Sequence, residues 1–486
     1  MSRDLRQWLQ AVQDLGELKI IKNAGWDLEM GALVDIFYSR ANQLHPAVLF
    51  ESIPGYPDQS RVLFGLLGSL RRLALTLNLD TSFSDPMELV DACRQMLRRM
   101  KPIPPRYVEV PATLSEVHNG SGINLWEFPS PLCHELDGGR YFGTGHMTIT
   151  SDPDTGWANM GVYRHMAHDE RTLGINMVPS RHGVQHMKKY GERNEPFPMA
   201  IVVGGDPLLF QLSTMSVPQG VSELDFAGGI QGEAVEVFRG EITGLPIPAN
   251  AEIVLEGICR PDRPKSEGPF GEWHGYYAND GLNALQNPII EVQKVWHRKD
   301  PILCCSQTGR YDDNAVQRGV TRSAMIWNEL ESAGMQGVKG VWCHPAGAGQ
   351  FIVILSLHQE FDGHAGEAAS FVVEKSCGAS LCRYVIAVDD DINPSNTNDV
   401  LWALSTRSDP VQSIQILARK KAGPNDPMRG MVSWAGTEEL LSKALIDCCK
   451  PFSRREIFPP TVETSAELVD RIRRKFTQEL GPESPY

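Results

Sequence analysis

Glu267-Gly268-Pro269-Phe270-Gly271-Glu272 runs directly into Trp273-His274-Gly275-Tyr276-Tyr277. Two carboxylates stand five positions apart, separated by two glycines, a proline and one apolar ring. Glycine permits tight bends and close approach to a ligand, and proline fixes a torsion that favours a turn. Such a loop can aim both carboxylates into one apolar pocket. There, burial and a like charge push a carboxyl pKa upward, so that it holds a proton at neutral pH and delivers it as a general acid. An isolated string of this kind reads as a surface turn with two solvated glutamates. The flanking aromatics and three further motifs argue for a site instead.

Upstream, Asn159-Met160-Gly161-Val162-Tyr163-Arg164 joins a hard oxygen ligand to a guanidinium fork suited to gripping a carboxylate. Alone it reads equally as a strand end with one exposed Arg. Ser180-Arg181-His182 adds an imidazole, and a lone His is more often structural than a ligand. Ser213-Thr214-Met215-Ser216-Val217-Pro218 leads to Val221-Ser222-Glu223, and Glu223 offers another carboxylate. One Asn, one His and one Glu are too few to close a structural metal site. They suit a cation that bridges the protein to a phosphorylated cofactor.

The texture around these motifs suggests three parts. Residues 1–108 read as a small α/β domain. It opens with an amphipathic helix carrying Leu5, Trp8, Leu9 and Val12, followed by strands at Glu17–Ile21 and Pro46–Glu51 and a helix over Pro86–Arg99. Lys101-Pro102-Ile103-Pro104-Pro105 marks a linker. Residues 109–312 alternate short apolar runs with Gly and Pro turns, as in Met147–Thr150, Ala200–Val203, Glu252–Leu255 and Ile289–Val292. That pattern predicts a β-barrel or sandwich with a few helices. Residues 313–455 alternate strands (Phe351–Leu355, Tyr384–Val388) with a helix over Gly363–Lys375, predicting a second α/β domain with parallel pairing. In 456–486, Thr464-x-x-Glu467 reads as a capping box before a helix with Leu468, Ile472, Phe476 and Leu480 on one face. A lone striped helix must dock, and a partner subunit is the expected surface.

At 486 residues with 42% hydrophobic and 22% charged composition, the chain can bury sizeable cores. A net charge of -14 disfavours nucleic acid and anionic membranes as partners. No run approaches the roughly 20 apolar residues of a membrane span. The N-terminus has no apolar signal core, so the expected location is cytoplasmic. Ten cysteines form no CxxC, which predicts reduced, mostly buried thiols. Cys133-His134 and Cys343-His344 are only fragments of a metal pattern. Asp389-Asp390-Asp391, with His364, supports a rival reading as a metal-dependent hydrolase, and a fold-keeping non-catalytic paralogue is a second rival.

Taken in order, these motifs resemble the UbiD family of reversible decarboxylases. The resemblance also covers Asp4–Leu9, Met199–Pro207, Glu252–Gly257 and Asp399–Arg407, and so spans essentially the whole chain. It implies a mixed α/β protein whose central domain is a split β-barrel binding prenylated FMN, with a Mn2+-type divalent ion and K+ at the cofactor phosphate. By position, Asn159, His182 and Glu223 resemble the family's metal ligands. Val162, Tyr163, Arg164, Arg181, His182 and Met215 resemble the flavin-contacting set, and Arg164, Glu267 and Glu272 the catalytic Glu-Arg-Glu network. The implied substrate is a small aromatic or α,β-unsaturated carboxylic acid. Arg164 holds its carboxylate, Glu272 is the proton donor, and the cofactor acts as electron sink. Trp273 and the segment Tyr311–Arg318 are expected to line the pocket, with Gln317 and Arg318 either reading the substrate or facing solvent. A lysine expected near the phosphate finds only Lys375. The implied partners are a separate flavin prenyltransferase that supplies the cofactor and a second copy of the chain, in a homodimer or larger homo-oligomer.

Overall fold

The computed structural model describes residues 4–39, 45–179, 181–215, 217–218, 220–277, 283–310, 312–423, 426–431 and 439–480. Met1–Arg3, Ser180, Ser216 and Tyr311, together with the side chain of Leu480, lie outside the described residues. The architecture is mixed α/β, as expected.

Asp4 caps the first helix, Leu5–Asp14, by accepting from the Gln7 amide, and Leu5, Trp8, Leu9 and Val12 are its buried stripe. Behind it lies a four-stranded sheet ordered Leu18–Lys22, Ala47–Glu51, Arg61–Phe64 and Ile302–Cys304. The last of these strands returns from far along the chain and pairs parallel to Arg61–Phe64. Segment 305–314 is thereby delivered to the neighbourhood of the site. Asp313 fastens it: its carboxylate accepts from the Gly65 amide (3.3 Å), the Gln307 amide (3.2 Å) and the Ser306 hydroxyl (2.8 Å). Beneath this sheet Arg72 and Glu17 form a buried ion pair (2.8 Å), in which Arg72 also donates to the Gly65 carbonyl.

The central region carries a seven-stranded sheet in which every pairing is antiparallel. Its two longest strands, Ile253–Glu267 and Leu285–His297, pair along most of their length. Ile253–Glu267 ends on the first carboxylate of the EGPFGE loop. The alternating apolar runs Met147–Thr150 and Ala200–Val203 form adjacent inner strands. Arg6, on the first helix, clamps this sheet by donating to both Glu252 oxygens (3.0 Å each) and to Asp300.

The C-terminal region is a five-stranded sheet, ordered Val338–Cys343, Ile352–Leu357, Tyr384–Asp389, Leu440–Asp447 and Ile414–Lys421, with parallel pairing at its centre. The helix Pro86–Arg99, capped by Asp85, meets the helix Ala315–Ser332, where Arg94 stacks over Trp327 and pairs with Glu331 (2.8 Å). Asp389 and Asp391 are occupied structurally. Arg407 bonds both (3.1 and 2.7 Å), Lys450 bonds Asp391 (2.8 Å), and Gln359 donates to Asp389 (2.8 Å). His364 is buried and accepts from the Glu360 amide (3.2 Å). The acidic turn is therefore a cluster of ion pairs, which occupies the groups that the hydrolase reading needed.

One local reading shifts. The C-terminal helix Ala466–Lys475 is capped by Ser465, which accepts from the Leu468 amide; Thr464 lies one residue too early. Its stripe is not covered: Ile472 is 40% and Phe476 38% exposed. Among the described residues no helix is long and apolar enough to cross a membrane. All ten cysteines are free, and eight are buried.

Removing one member of a buried ion pair strands the other charge. Glu17→Ala is expected to destabilise the fold by about 3–5 kcal/mol, read from the urea midpoint. An unchanged midpoint would show that Arg72 is carried by its backbone acceptors alone.

Candidate active site

Strand Ile253–Glu267 places Glu267 in full burial. A buried carboxylate needs donors. Glu267 has the Tyr141 hydroxyl (2.7 Å), the Asn287 amide (2.5 Å) and a two-pronged contact from Arg164, through Nε (2.9 Å) and Nη2 (3.2 Å). The third nitrogen of Arg164, Nη1, donates to Glu272 Oε1 (2.7 Å). Phe270 presents its ring to the guanidinium at 4.7 Å and packs against Tyr141 at 4.4 Å. Burial opposes the Arg164 charge, but Glu267 and Glu272 outweigh it and raise the guanidinium pKa. Burial and the Glu267 charge push the Tyr141 hydroxyl well upward, so it stays a donor.

The loop is held from behind by residues 134–138. The Gly138 amide donates to the Pro269 carbonyl (2.7 Å), while Asp137 accepts from the Gly271 amide (3.3 Å) and the Tyr277 hydroxyl (3.1 Å). A side chain on Gly138 would collide with the Gly268 carbonyl, so only glycine allows this approach. His134 sits between Asp137 and Asp35 (3.4 Å each), and its bonds to them push it up to about 9. His134 of the Cys133-His134 pair thus serves an ion-pair cluster. Residues 162–164 follow the strand Ala158–Gly161 and are held where the Tyr163 carbonyl meets His146 Nε2 (2.8 Å) and the Tyr163 hydroxyl accepts from the Gly183 amide (3.2 Å).

Beside this network is a cavity of about 480 Å³. Val162, Tyr163, Arg164 and Arg181 line one side, Glu272 and Trp273 another, and Arg318 reaches in from the helix Ala315–Ser332. Trp273 stacks on Phe351 (5.4 Å, 22°), and the Arg318 guanidinium lies 5.4 Å from its ring. Arg318 is tethered to Asp312 and to the Ala348 carbonyl (3.2 Å). Gln317 neither faces solvent nor lines the cavity: it is buried and donates to the Thr214 hydroxyl (2.7 Å), which does line it. Met215 is half-buried next to Thr214, and Lys375 is exposed at the end of the helix His364–Glu374, away from the cavity lining.

Asn159 lies in the strand Ala158–Gly161, while His182 and Glu223 are the first residues of the helices His182–Glu192 and Glu223–Gln231. Asn159 Oδ1 meets His182 Nδ1 at 3.1 Å, and the neighbouring Met160 amide donates to Glu223 (2.7 Å). Glu223 is 4% exposed, and burial raises its pKa to about 7. The Asn159 amide nitrogen is buried without a partner. A buried carboxylate held only by amides, one residue along the chain from an Asn whose side-chain oxygen meets an imidazole, has donors of the type that fit a divalent cation.

Tyr141, Asn287 and Asp137 escaped the sequence reading. Each acts on the loop from a distant part of the chain, and none belongs to a local motif.

A buried Glu–Arg–Glu network on a cavity wall is equipment for handling a carboxylate, and the class it defines is an enzyme acting on carboxylic acids. Residues 9–92, 106–311 and 315–448 match the N-terminal, Rift-related and C-terminal domains described for 3-octaprenyl-4-hydroxybenzoate carboxy-lyase. Pyrrole-2-carboxylic acid decarboxylase of Pseudomonas aeruginosa is 33% identical over 425 residues, 84% of each chain. The closed form of vanillic acid decarboxylase from Sedimentibacter hydroxybenzoicus superposes with a TM-score of 0.83 at 26% identity, covering 99% of this chain and 100% of that one. An evolved dimeric form of the UbiD-class enzyme HmfF from Pelotomaculum thermopropionicum, in complex with prFMN, superposes with a TM-score of 0.80 at 25% identity, covering 97% and 98%. The chain belongs to the UbiD family of carboxy-lyases.

Because Gly138 sets the loop position, Gly138→Ala is expected to displace the carboxylates and lower decarboxylase turnover by about 100-fold. A variant that melts like the parent and turns over at the parental rate would detach the loop position from catalysis.

Proposed function

We propose that this chain catalyses reversible, non-oxidative decarboxylation of an aromatic, heteroaromatic or α,β-unsaturated carboxylic acid with prenylated FMN. The observation that carries this reading is Arg164, held between Glu267 and Glu272 at the cavity wall. Family membership and the prFMN complex of HmfF support the cofactor. When bound, prenylated FMN supplies the electron sink that makes loss of carbon dioxide feasible.

The chain's own residues do the rest. Glu267, immobilised by Tyr141 and Asn287, fixes the plane of the Arg164 guanidinium. The fork then orients the substrate carboxylate. Glu272, beside that guanidinium, is the group placed to deliver a proton to the carbon that loses carbon dioxide. In the carboxylation direction Glu272 takes that proton back. Trp273 offers a stacking face, and Arg318 beside it suits a substrate with a hydroxyl or ring N–H, favouring phenolic and heteroaromatic acids. The pyrrole-2-carboxylic acid relative supports this choice. Asn159, His182 and Glu223 would hold a Mn2+-type ion, with K+ nearby, at the cofactor phosphate. Val162, Tyr163, Arg181 and Met215 complete the flavin contacts. A separate flavin prenyltransferase supplies the cofactor, and the exposed stripe of the C-terminal helix serves a homo-oligomer contact.

Glu272→Gln, co-expressed with a flavin prenyltransferase, is expected to keep its flavin absorbance and lose about 100- to 10,000-fold in turnover. Turnover close to the parental rate would remove Glu272 from its role. Asn159→Ala and Glu223→Ala are expected to lower bound manganese and flavin together, read by mass spectrometry and absorbance. Unchanged occupancy of both would overturn the metal assignment.

A further inference from the structure

His118 and His297 come from paired strands. In the antiparallel register of Glu116–Asn119 with Leu285–His297, His118 faces Val295, so His297 is its diagonal neighbour on the same face of the sheet. Their rings stack at 5.2 Å, and their Nε2 atoms are 3.2 Å apart. Each Nδ1 faces a backbone carbonyl: Gly122 O for His118 (3.1 Å) and Arg298 O for His297 (2.7 Å). A carbonyl only accepts, so each Nδ1 carries the proton and each Nε2 presents its lone pair. Two lone pairs meeting at this distance repel unless a cation lies between them. Two nitrogens bound at 2.0–2.1 Å to a tetrahedral ion lie about 3.3 Å apart, which is the separation found.

Glu127 supplies the third group. It ends the short 3-10 turn Leu125–Glu127, and its Oε2 is 4.0 Å from His118 Nε2. Its Oε1 is buried and makes no hydrogen bond. The three ligand atoms lie within 4.8 Å of one another, and among the described residues no other such group of three His, Cys, Asp or Glu occurs. Both imidazoles already have the carbonyl partner on Nδ1 that orients metal-ligating histidines.

We propose that His118, Glu127 and His297 form a second metal site, taking one divalent ion of the zinc class through two imidazoles and a carboxylate. None of the three lines the Arg164 cavity. Glu127 and His297 line a separate cavity of about 420 Å³ walled by Trp26, Tyr56 and Trp126, which leaves room for water as the fourth ligand. The ion would fasten the 3-10 turn and the edge strand to Leu285–His297. Its role is a clasp on the central sheet, independent of cofactor loading.

The test compares the full-length parent with His118→Ala and Glu127→Gln after chelator treatment and dialysis against Zn2+. Zinc per chain, the zinc-dependent rise in melting temperature, flavin content and turnover are read for each. His118→Ala is expected to lose one zinc per chain and the zinc-dependent rise in melting temperature, while keeping flavin and turnover. That separates it from Asn159→Ala, which loses flavin. Glu127→Gln keeps both imidazoles and is expected to weaken zinc binding at least about tenfold. Zinc content and melting response equal to the parent in either variant would overturn the site. So would an Asn159→Ala variant that takes up no zinc at all; the imidazoles would then share a proton.

Discussion

Arg164 is a cation with 14% of its side chain exposed, placed between two carboxylates. Burying a guanidinium is tolerable only if its donors are met by charge, and burying Glu267 completely is tolerable only if each of its oxygens finds a donor. Those two demands organise much of the central region. They require Tyr141 and Asn287 to converge on the end of one long strand, and Phe270 to cover the guanidinium. They also require the loop to be pulled in against Gly138 and Asp137. The network is thus more than a set of functional groups on a scaffold. Its charge balance is a condition for this part of the scaffold to close.

The same accounting separates structural charges from functional ones elsewhere. Glu17 with Arg72, and Asp389 with Arg407, are buried acids matched by a neighbouring base. Their geometry is complete without any ligand. Glu223 is different: it is as buried as these acids, yet amides are what hold it, and its proton affinity rises accordingly. The cluster of His118, Glu127 and His297 is different in another way, with lone pairs meeting and a carboxylate oxygen left without a donor. In both places a bound cation would complete the charge balance.

The cavity is assembled from parts far apart in the chain. The strand Ile302–Cys304 leaves the central region and completes the N-terminal sheet, so Asp312, Asn314 and Arg318 arrive at the cavity on a segment anchored by Asp313 to Gly65. Cavity-lining residues therefore depend on the N-terminal sheet as well as on the central one. Arg318 in turn braces Trp273 from the helix Ala315–Ser332, while Phe351 backs that ring from the C-terminal sheet.

Local features were legible in the chain because their causes are local. The stripe Leu5, Trp8, Leu9, Val12 and the Asp85-capped helix Pro86–Arg99 follow from spacing within a few residues. So do the buried runs that became the strands Phe197–Val203 and Ile352–Leu357. The order of the motifs identified the family, and with it Arg164, Glu267 and Glu272. Where two neighbouring residues compete for one role, the chain was ambiguous: Ser465 rather than Thr464 caps the last long helix, because the hydroxyl with the right backbone approach wins. Gln317 could have faced solvent or substrate, and only packing turned it toward Thr214. Tyr141 meets Glu267 across 126 positions, and His118 meets His297 across 179. Such pairings are set by strand register and loop closure in three dimensions. By itself the sequence determined the elements, the family and the local motifs. Only the tertiary structure decided which distant side chains satisfy them, since hydrogen bonds and charges are completed across space, not along the chain.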